Sequence, residues 1–155
     1  MEREQLVNFI VESNKIEGIF DGPTYGQVEV AQDFLILDKI TVNDLNKYVS
    51  VMQPNAELRE HTGLNVYVGN HSPLPGGPVI RSVLEDILDD ANNLQHPFWI
   101  HHRYESLHPY TDCNGRSGRM LWAWGMRQKG LSWGRIGFLH TWYYQSLEFT
   151  SRNPS

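Results

Sequence analysis

The sequence predicts an all-α fold, a helical bundle interrupted once by a short β-hairpin flap. Apolar residues recur at three- and four-residue spacing through most of the chain. Proline falls between those stretches rather than inside them. Only Leu64-Asn65-Val66-Tyr67-Val68 alternates in the manner of a strand.

Taken in order, Leu6, Phe9, Ile10, Ser13 and Ile16 form one face of a helix within Glu4 to Ile19, with Gly18 as its stop. Asp21-Gly22-Pro23 is a break, and Val28, Ala31, Phe34, Leu35 and Ile36 support a second helix from Thr24 to Lys39. Thr41 is an N-cap for a third helix, whose face is Leu45, Tyr48, Val49 and Met52 and which ends before Pro54. Residues 62–78 read as the hairpin flap, with a turn at Gly69-Asn70 and with Pro73, Pro75, Gly76, Gly77 and Pro78 excluding a helix. Helix returns at Val79, with Ile80, Val83, Leu84, Ile87, Ala91 and Leu94 inward and Glu85, Asp86, Asp89 and Asp90 as a solvated outer face. A further helix after Pro97 carries Ile100, Tyr104 and Leu107, another covers residues 116–129 up to Gly130, and a last one runs from Gly137 to about Thr150.

At 155 residues and 17.9 kDa, the expectation is a single domain over 1–155. The net charge of −5 excludes a global basic field, so no nucleic-acid partner is expected, although a local basic pocket is compatible with it. Cys113 is the sole cysteine, which precludes an internal disulfide and points to a reducing, cytoplasmic setting. The charged opening residues precede no long apolar run, and no stretch of about 18 apolar residues follows, so neither a signal peptide nor a membrane span is expected. Formation of a homodimer stays open.

The chemically dense stretch is His108-Pro109-Tyr110-Thr111-Asp112-Cys113-Asn114-Gly115-Arg116-Ser117-Gly118-Arg119. Pro109 ends one helix, and a new helix begins near Gly115 and Arg116 after a short loop. A helix N-terminus offers unpaired N–H groups to phosphate, and Asn114-Gly115 tolerates the dihedrals that turn successive N–H groups inward. Arg116 and Arg119, three residues apart, can lean toward one polyphosphate. Asp112 is an oxygen ligand of the kind Mg²⁺ takes, and His108 is a base of suitable ordinary pKa. Together these make a site for phosphoryl or nucleotidyl transfer.

The stretch resembles the signature of the Fic (Fic/Doc, Fido) family, H-x-F-x-[D/E]-G-N-G-R-x-x-R, at His108, Asp112, Asn114, Gly115, Arg116 and Arg119. At roughly 5% background per residue type, six such matches arise by chance on the order of once in a million. Tyr110 stands where the family has Phe, and Cys113 where it has Gly. His101-x-x-Tyr104-x-x-Leu107-His108 is similar to the family's lead-in helix, residues 63–78 to its flap, and Tyr143-Tyr144-x-x-Leu147 to its closing helix. Ser13-Asn14-Lys15-Ile16-Glu17-Gly18 resembles its inhibitory motif, [S/T]-x-x-x-E-[G/N].

The resemblance implies transfer of AMP from ATP to a Ser, Thr or Tyr hydroxyl of a target protein. His108 would take the hydroxyl proton and Asp112 would hold Mg²⁺. The N–H groups around Cys113, Asn114 and Gly115 would cradle phosphate oxygens, with Arg116 on the β- and Arg119 on the γ-phosphate. Val66, Tyr67 and Val68 of the flap would pair with the target, and Tyr143 or Tyr144 would line the adenine side. Residues 1–19 would form an inhibitory helix, in which Ser13, Glu17 and Gly18 set a carboxylate in a bidentate pair with Arg119. Removal of AMP, use of another nucleotide donor, and a non-catalytic peptide-binding module are the alternatives. A zinc cluster of His96, His101, His102 and His108 lacks the ligand spacing, and His101 and the tryptophans at 122, 124 and 133 are expected in the core.

Overall fold

The structure is a computed structural model and describes residues 2–134. The expected helix from Gly137 to Thr150, with Tyr143, Tyr144 and Leu147, lies outside the described residues. Six helices follow in order: α1 (Glu2–Ile16), α2 (Tyr25–Leu35), α3 (Val42–Met52), α4 (Pro78–Asn92), α5 (Pro97–Leu107) and α6 (Asn114–Gln128). None of the described helices is long and apolar enough to cross a membrane.

Local chemistry sets the helix ends. Thr24 and Thr41 each form a capping box, with Gln27 and Asp44 reaching back to the cap N–H. Pro78 and Pro97 occupy first-turn positions, where a missing N–H costs nothing. α1 is shorter at its C-terminal end than its apolar pattern suggests. Gly18 adopts φ 74°, the Gly18 N–H bonds the Lys15 carbonyl at 3.0 Å and the Ile19 N–H bonds the Asn14 carbonyl at 3.0 Å. This glycine-stopped ending leaves Glu17 as the helix's cap residue.

α6 is the central helix and packs against α1, α2, α3 and α5. Met120, Leu121, Trp122, Ala123 and Trp124 are all buried, so its middle is enclosed on every side. Trp122 meets Phe98 edge-on, Phe9 meets Trp133, and the Trp124 indole N–H donates to the Leu37 carbonyl at 2.8 Å. α5 lies close along α6. His101 Nδ1 bonds the Gly118 carbonyl at 2.9 Å, Tyr104 and Ser117 share a hydroxyl bond of 2.7 Å, and a Cβ on Gly118 would stand 2.1 Å from Glu105 Oε1.

The flap departs from the expected hairpin. Residues 62–78 contain a single antiparallel bridge, Val68 with His71, whose two backbone bonds measure 3.0 and 2.8 Å across the Gly69-Asn70 turn. In that register the next hydrogen-bonded pairs would be Val66 with Pro73 and Leu64 with Pro75. Both partners lack an N–H, so the ladder ends after one bridge. A second short pairing ties the flap's base to the loop after α5. The Arg59 N–H donates to the Pro109 carbonyl at 2.8 Å and the Thr111 N–H to the Glu57 carbonyl at 2.9 Å.

Candidate active site

The loop between α5 and α6 owes its shape to two residues with left-handed backbone. His108 caps α5 at φ 52° and Cys113 caps α6 at φ 69°. Between them, the buried Asn114 side chain clamps the Tyr110 peptide, accepting from its N–H at 2.8 Å and donating to its carbonyl at 2.7 Å. Asp112 lies exposed at the turn, with Oδ1 accepting the Cys113 N–H at 2.7 Å. The first backbone bond of α6 runs from the Ser117 N–H to the Cys113 carbonyl, at 2.9 Å. As the first three helical residues, Asn114, Gly115 and Arg116 have no intrahelical acceptor for their N–H groups.

The left-handed position occupied by Cys113 would suit glycine, and an L-residue there costs about 1–2 kcal/mol. The thiol is turned into the core, 4% exposed, and burial pushes its pKa up to about 12. Its neutral, enclosed sulfur is not a nucleophile.

His108 Nδ1 stands 3.2 Å from the Glu105 carbonyl and 3.9 Å from the Glu105 carboxyl. A carbonyl can only accept, so Nδ1 carries the proton and Nε2 keeps its lone pair. Burial pulls the His108 pKa down to about 4, against the upward pull of that carbonyl bond, so the ring is a neutral base at pH 7. Beneath it, burial holds the Glu105 carboxyl well above the usual carboxylate range, despite Arg119 nearby. His101 is fully enclosed and its pKa falls to about 3, which makes it a neutral core residue bonded to Gly118.

A cavity of about 650 Å³ opens over the loop. Its wall includes His108, Asp112, the first residues of α6, flap residues Val66, Tyr67 and Val68, and Glu17 with Ile19 from the end of α1. That volume suits a small organic ligand. Tyr67 is 78% exposed at the flap's rim.

The two arginines of α6 do not converge on one point. The Arg116 guanidinium donates to the Met52 carbonyl at 3.2 Å and to Gln53 Oε1 at 2.9 Å, at the C-terminal end of α3. Arg119, 3% exposed, turns to α1 and takes no part in the cavity wall. Its Nε donates to Ser13 Oγ at 2.8 Å, and its Nη2 to the Ser13 carbonyl at 3.1 Å and to Glu17 Oε1 at 2.7 Å. The Ser13 carbonyl is available because the Glu17 N–H bonds Asn14 instead. The Glu17–Arg119 pair is therefore a single-oxygen contact reinforced by Ser13, not the bidentate pair expected. Gly115 makes room for it, since a Cβ there would lie 2.3 Å from Glu17 Oε1 and 2.9 Å from Arg119 Nη1.

Sequence reasoning missed Arg59. Amid Glu57, Glu60 and His61 it reads as one more surface charge, yet it is 0% exposed and bonds four backbone carbonyls around the loop and flap. Glu105, buried below His108, was missed as well, and no local pattern marks either residue.

The comparisons with curated proteins and with solved structures return no match. A family model described as Fic/DOC family matches residues 32–125, which take in the flap, the whole loop and most of α6 and leave out α1. That match spans more than half of the 155 residues, and it contains the loop that ties a neutral histidine to a bare helix N-terminus: the chain belongs to the Fic/DOC family.

Proposed function

We propose that the chain is an ATP-dependent protein adenylyltransferase held in check by its own first helix. One observation carries the reading: a neutral His108 and the unbonded N–H groups of α6 face one cavity, while Glu17 stands at its wall and engages the arginine behind it. A helix N-terminus with Gly115 at its second position suits the close approach of phosphate oxygens. In the reaction, an acceptor hydroxyl oxygen bonds to the α-phosphorus of ATP. The bond from that phosphorus to the bridging oxygen breaks, pyrophosphate leaves, and the hydroxyl proton passes to His108 Nε2. His108 then releases it to solvent. Positioning and charge stabilisation carry the rest of the rate.

Among the described residues no cluster of three metal-ligating side chains exists. A magnesium ion bound with a nucleotide needs only one or two protein carboxylates, and Asp112 at the cavity wall fits that donor set. When bound there, the ion would neutralise phosphate charge.

The same geometry supports a brake. Arg119 serves the terminal phosphate only after Glu17 gives it up, and a carboxylate at that wall repels the incoming triphosphate. Val66, Tyr67 and Val68 receive an extended acceptor segment as an added strand. The test is mass spectrometry of a cell lysate treated with ATP and the Glu17→Gly variant. Adenylylated hydroxyl side chains, absent with Glu17→Gly/His108→Ala, are the expected result. ATP binding without any transfer would make the chain a binding module instead.

A further inference from the structure

The flap has no ladder to hold it, because Pro73 and Pro75 remove the donors its register requires. Something else must fix its height above His108. The carbonyls at the end of α5 show what does. Of the last four, Tyr104 accepts from the His108 N–H at 2.9 Å and Glu105 from His108 Nδ1. The other two accept from outside the helix: Ser106 from His71 Nε2 at 2.8 Å and Leu107 from Arg59 Nη2 at 2.8 Å. Arg59 Nε adds the His108 carbonyl at 2.7 Å, and Arg59 Nη1 bonds Leu64 and Leu74, one on each arm of the flap, at 3.0 and 2.8 Å. His71 is the residue that closes the flap's single bridge.

Two donors therefore join the flap to the turn that carries His108. The buried guanidinium is in none of the ion pairs among the described residues, and its charge faces the negative end of the α5 dipole. We infer that Arg59 and His71 are positioning residues, which fasten the flap to the C-terminal carbonyls of α5 and so set the distance between a flap-bound acceptor and His108 Nε2. The inference rests on the proposed reaction for its purpose, but the tether itself can be measured without any turnover.

The experiment is hydrogen exchange read by mass spectrometry, with His71→Leu, His71→Gln and Arg59→Lys each made in the Glu17→Gly protein. His71 is only half-buried, so its variants keep the fold even if Arg59→Lys does not. The loss of one bond to a helix-end carbonyl should speed exchange in residues 64–76 about tenfold in His71→Leu, with α6 unchanged. Glutamine, which can still donate, should restore protection. With ATP as the varied substrate, self-labelling by His71→Leu should show a maximal rate lowered about tenfold and a half-saturating ATP concentration within about twofold, because the proposed phosphate site is the N-terminus of α6 and not the flap. Unchanged exchange in His71→Leu, equal loosening across α6, glutamine as loose as leucine, or an unaltered maximal labelling rate beside a loosened flap would each overturn the inference. If the Glu17→Gly protein transfers nothing, the proposed reaction fails, and exchange alone then decides the tether.

Discussion

Gly115 offers the sharpest probe of the contact between α1 and α6. An alanine Cβ there would fall 2.3 Å from Glu17 Oε1, whereas a relaxed carbon–oxygen contact needs about 3.3 Å or more. The carboxylate must retreat by roughly 1 Å, which opens its 2.7 Å bond to Arg119 beyond hydrogen-bonding range. A hydrogen bond between charged groups contributes about 1.5–3 kcal/mol, and the 31% exposure of Glu17 argues for the lower part of that range. Alanine at a helical glycine returns about 0.5–1 kcal/mol. The net loss is about 1 kcal/mol, or a fall of about 2–4 °C in Tm for a chain of this length. In a Glu17→Ala background the obstacle is gone, Arg119 can shift at its flexible end, and only the helix gain remains. Gly115→Ala should therefore lower Tm in the wild type and leave it level or raise it in Glu17→Ala, a change of sign in one double-mutant cycle read by calorimetry. Equal destabilisation in both backgrounds would refute the reasoning, because it would place the cost of the methyl group outside the Glu17–Arg119 contact.

Mild acid should weaken the fold through its buried histidines. His108 and His101 have pKa values lowered to about 4 and about 3, so between those values and 6.5 the unfolded chain holds protons that the folded chain lacks. The stability the two rings contribute is full above 6.5 and drops as pH falls toward 4, by up to about 1.4 kcal/mol per pH unit for each ring, while the raised Glu105 carboxyl, protonated in the fold and ionised in the unfolded chain, offsets the equivalent of one ring over that window and leaves a net loss. Urea midpoints at pH 7, 6 and 5 check this, and a flat series contradicts it. Asn114→Ala removes both bonds to the buried Tyr110 peptide and should cost about 2–4 kcal/mol in urea unfolding, where a merely exposed loop asparagine would cost under 0.5. The Cys113 thiol should resist iodoacetamide in the native protein at pH 8 and react on addition of urea, as followed by intact mass.

Much of the bundle could be read from spacing because the helices bury one face each. Thr41 with Asp44 and the face of Leu45, Tyr48, Val49 and Met52 fix α3 within a residue at either end. α2 ends earlier than expected because the Leu37 N–H closes a tight turn on the Phe34 carbonyl, while the Leu37 carbonyl serves Trp124 from α6, a partner 87 residues away. The flap shows the opposite limit. Alternation in 64–68 matches the alternate burial along that arm, but only Val68 pairs, because pairing depends on the register of the other arm, and there the prolines decide. At the loop, His108, Asp112, Asn114 and Gly115 line one cavity, as their spacing suggests. Spacing could not show that Arg116 turns to α3 and Arg119 to α1, since those directions are set by Gln53 and Ser13, remote in sequence. Arg59 was invisible for the same reason, as all its acceptors are backbone carbonyls and leave no trace in side-chain pattern.

The central claim is that His108 directs an acceptor to the α-phosphorus of ATP once Glu17 is removed. The direct measurement gives the Glu17→Gly protein ATP labelled either at the α- or at the γ-phosphorus and follows label on protein. Label from the α-position alone, lost in Glu17→Gly/His108→Ala and weak in the wild type, is the predicted result. Label from the γ-position, label that survives without His108, or none from either would contradict the account.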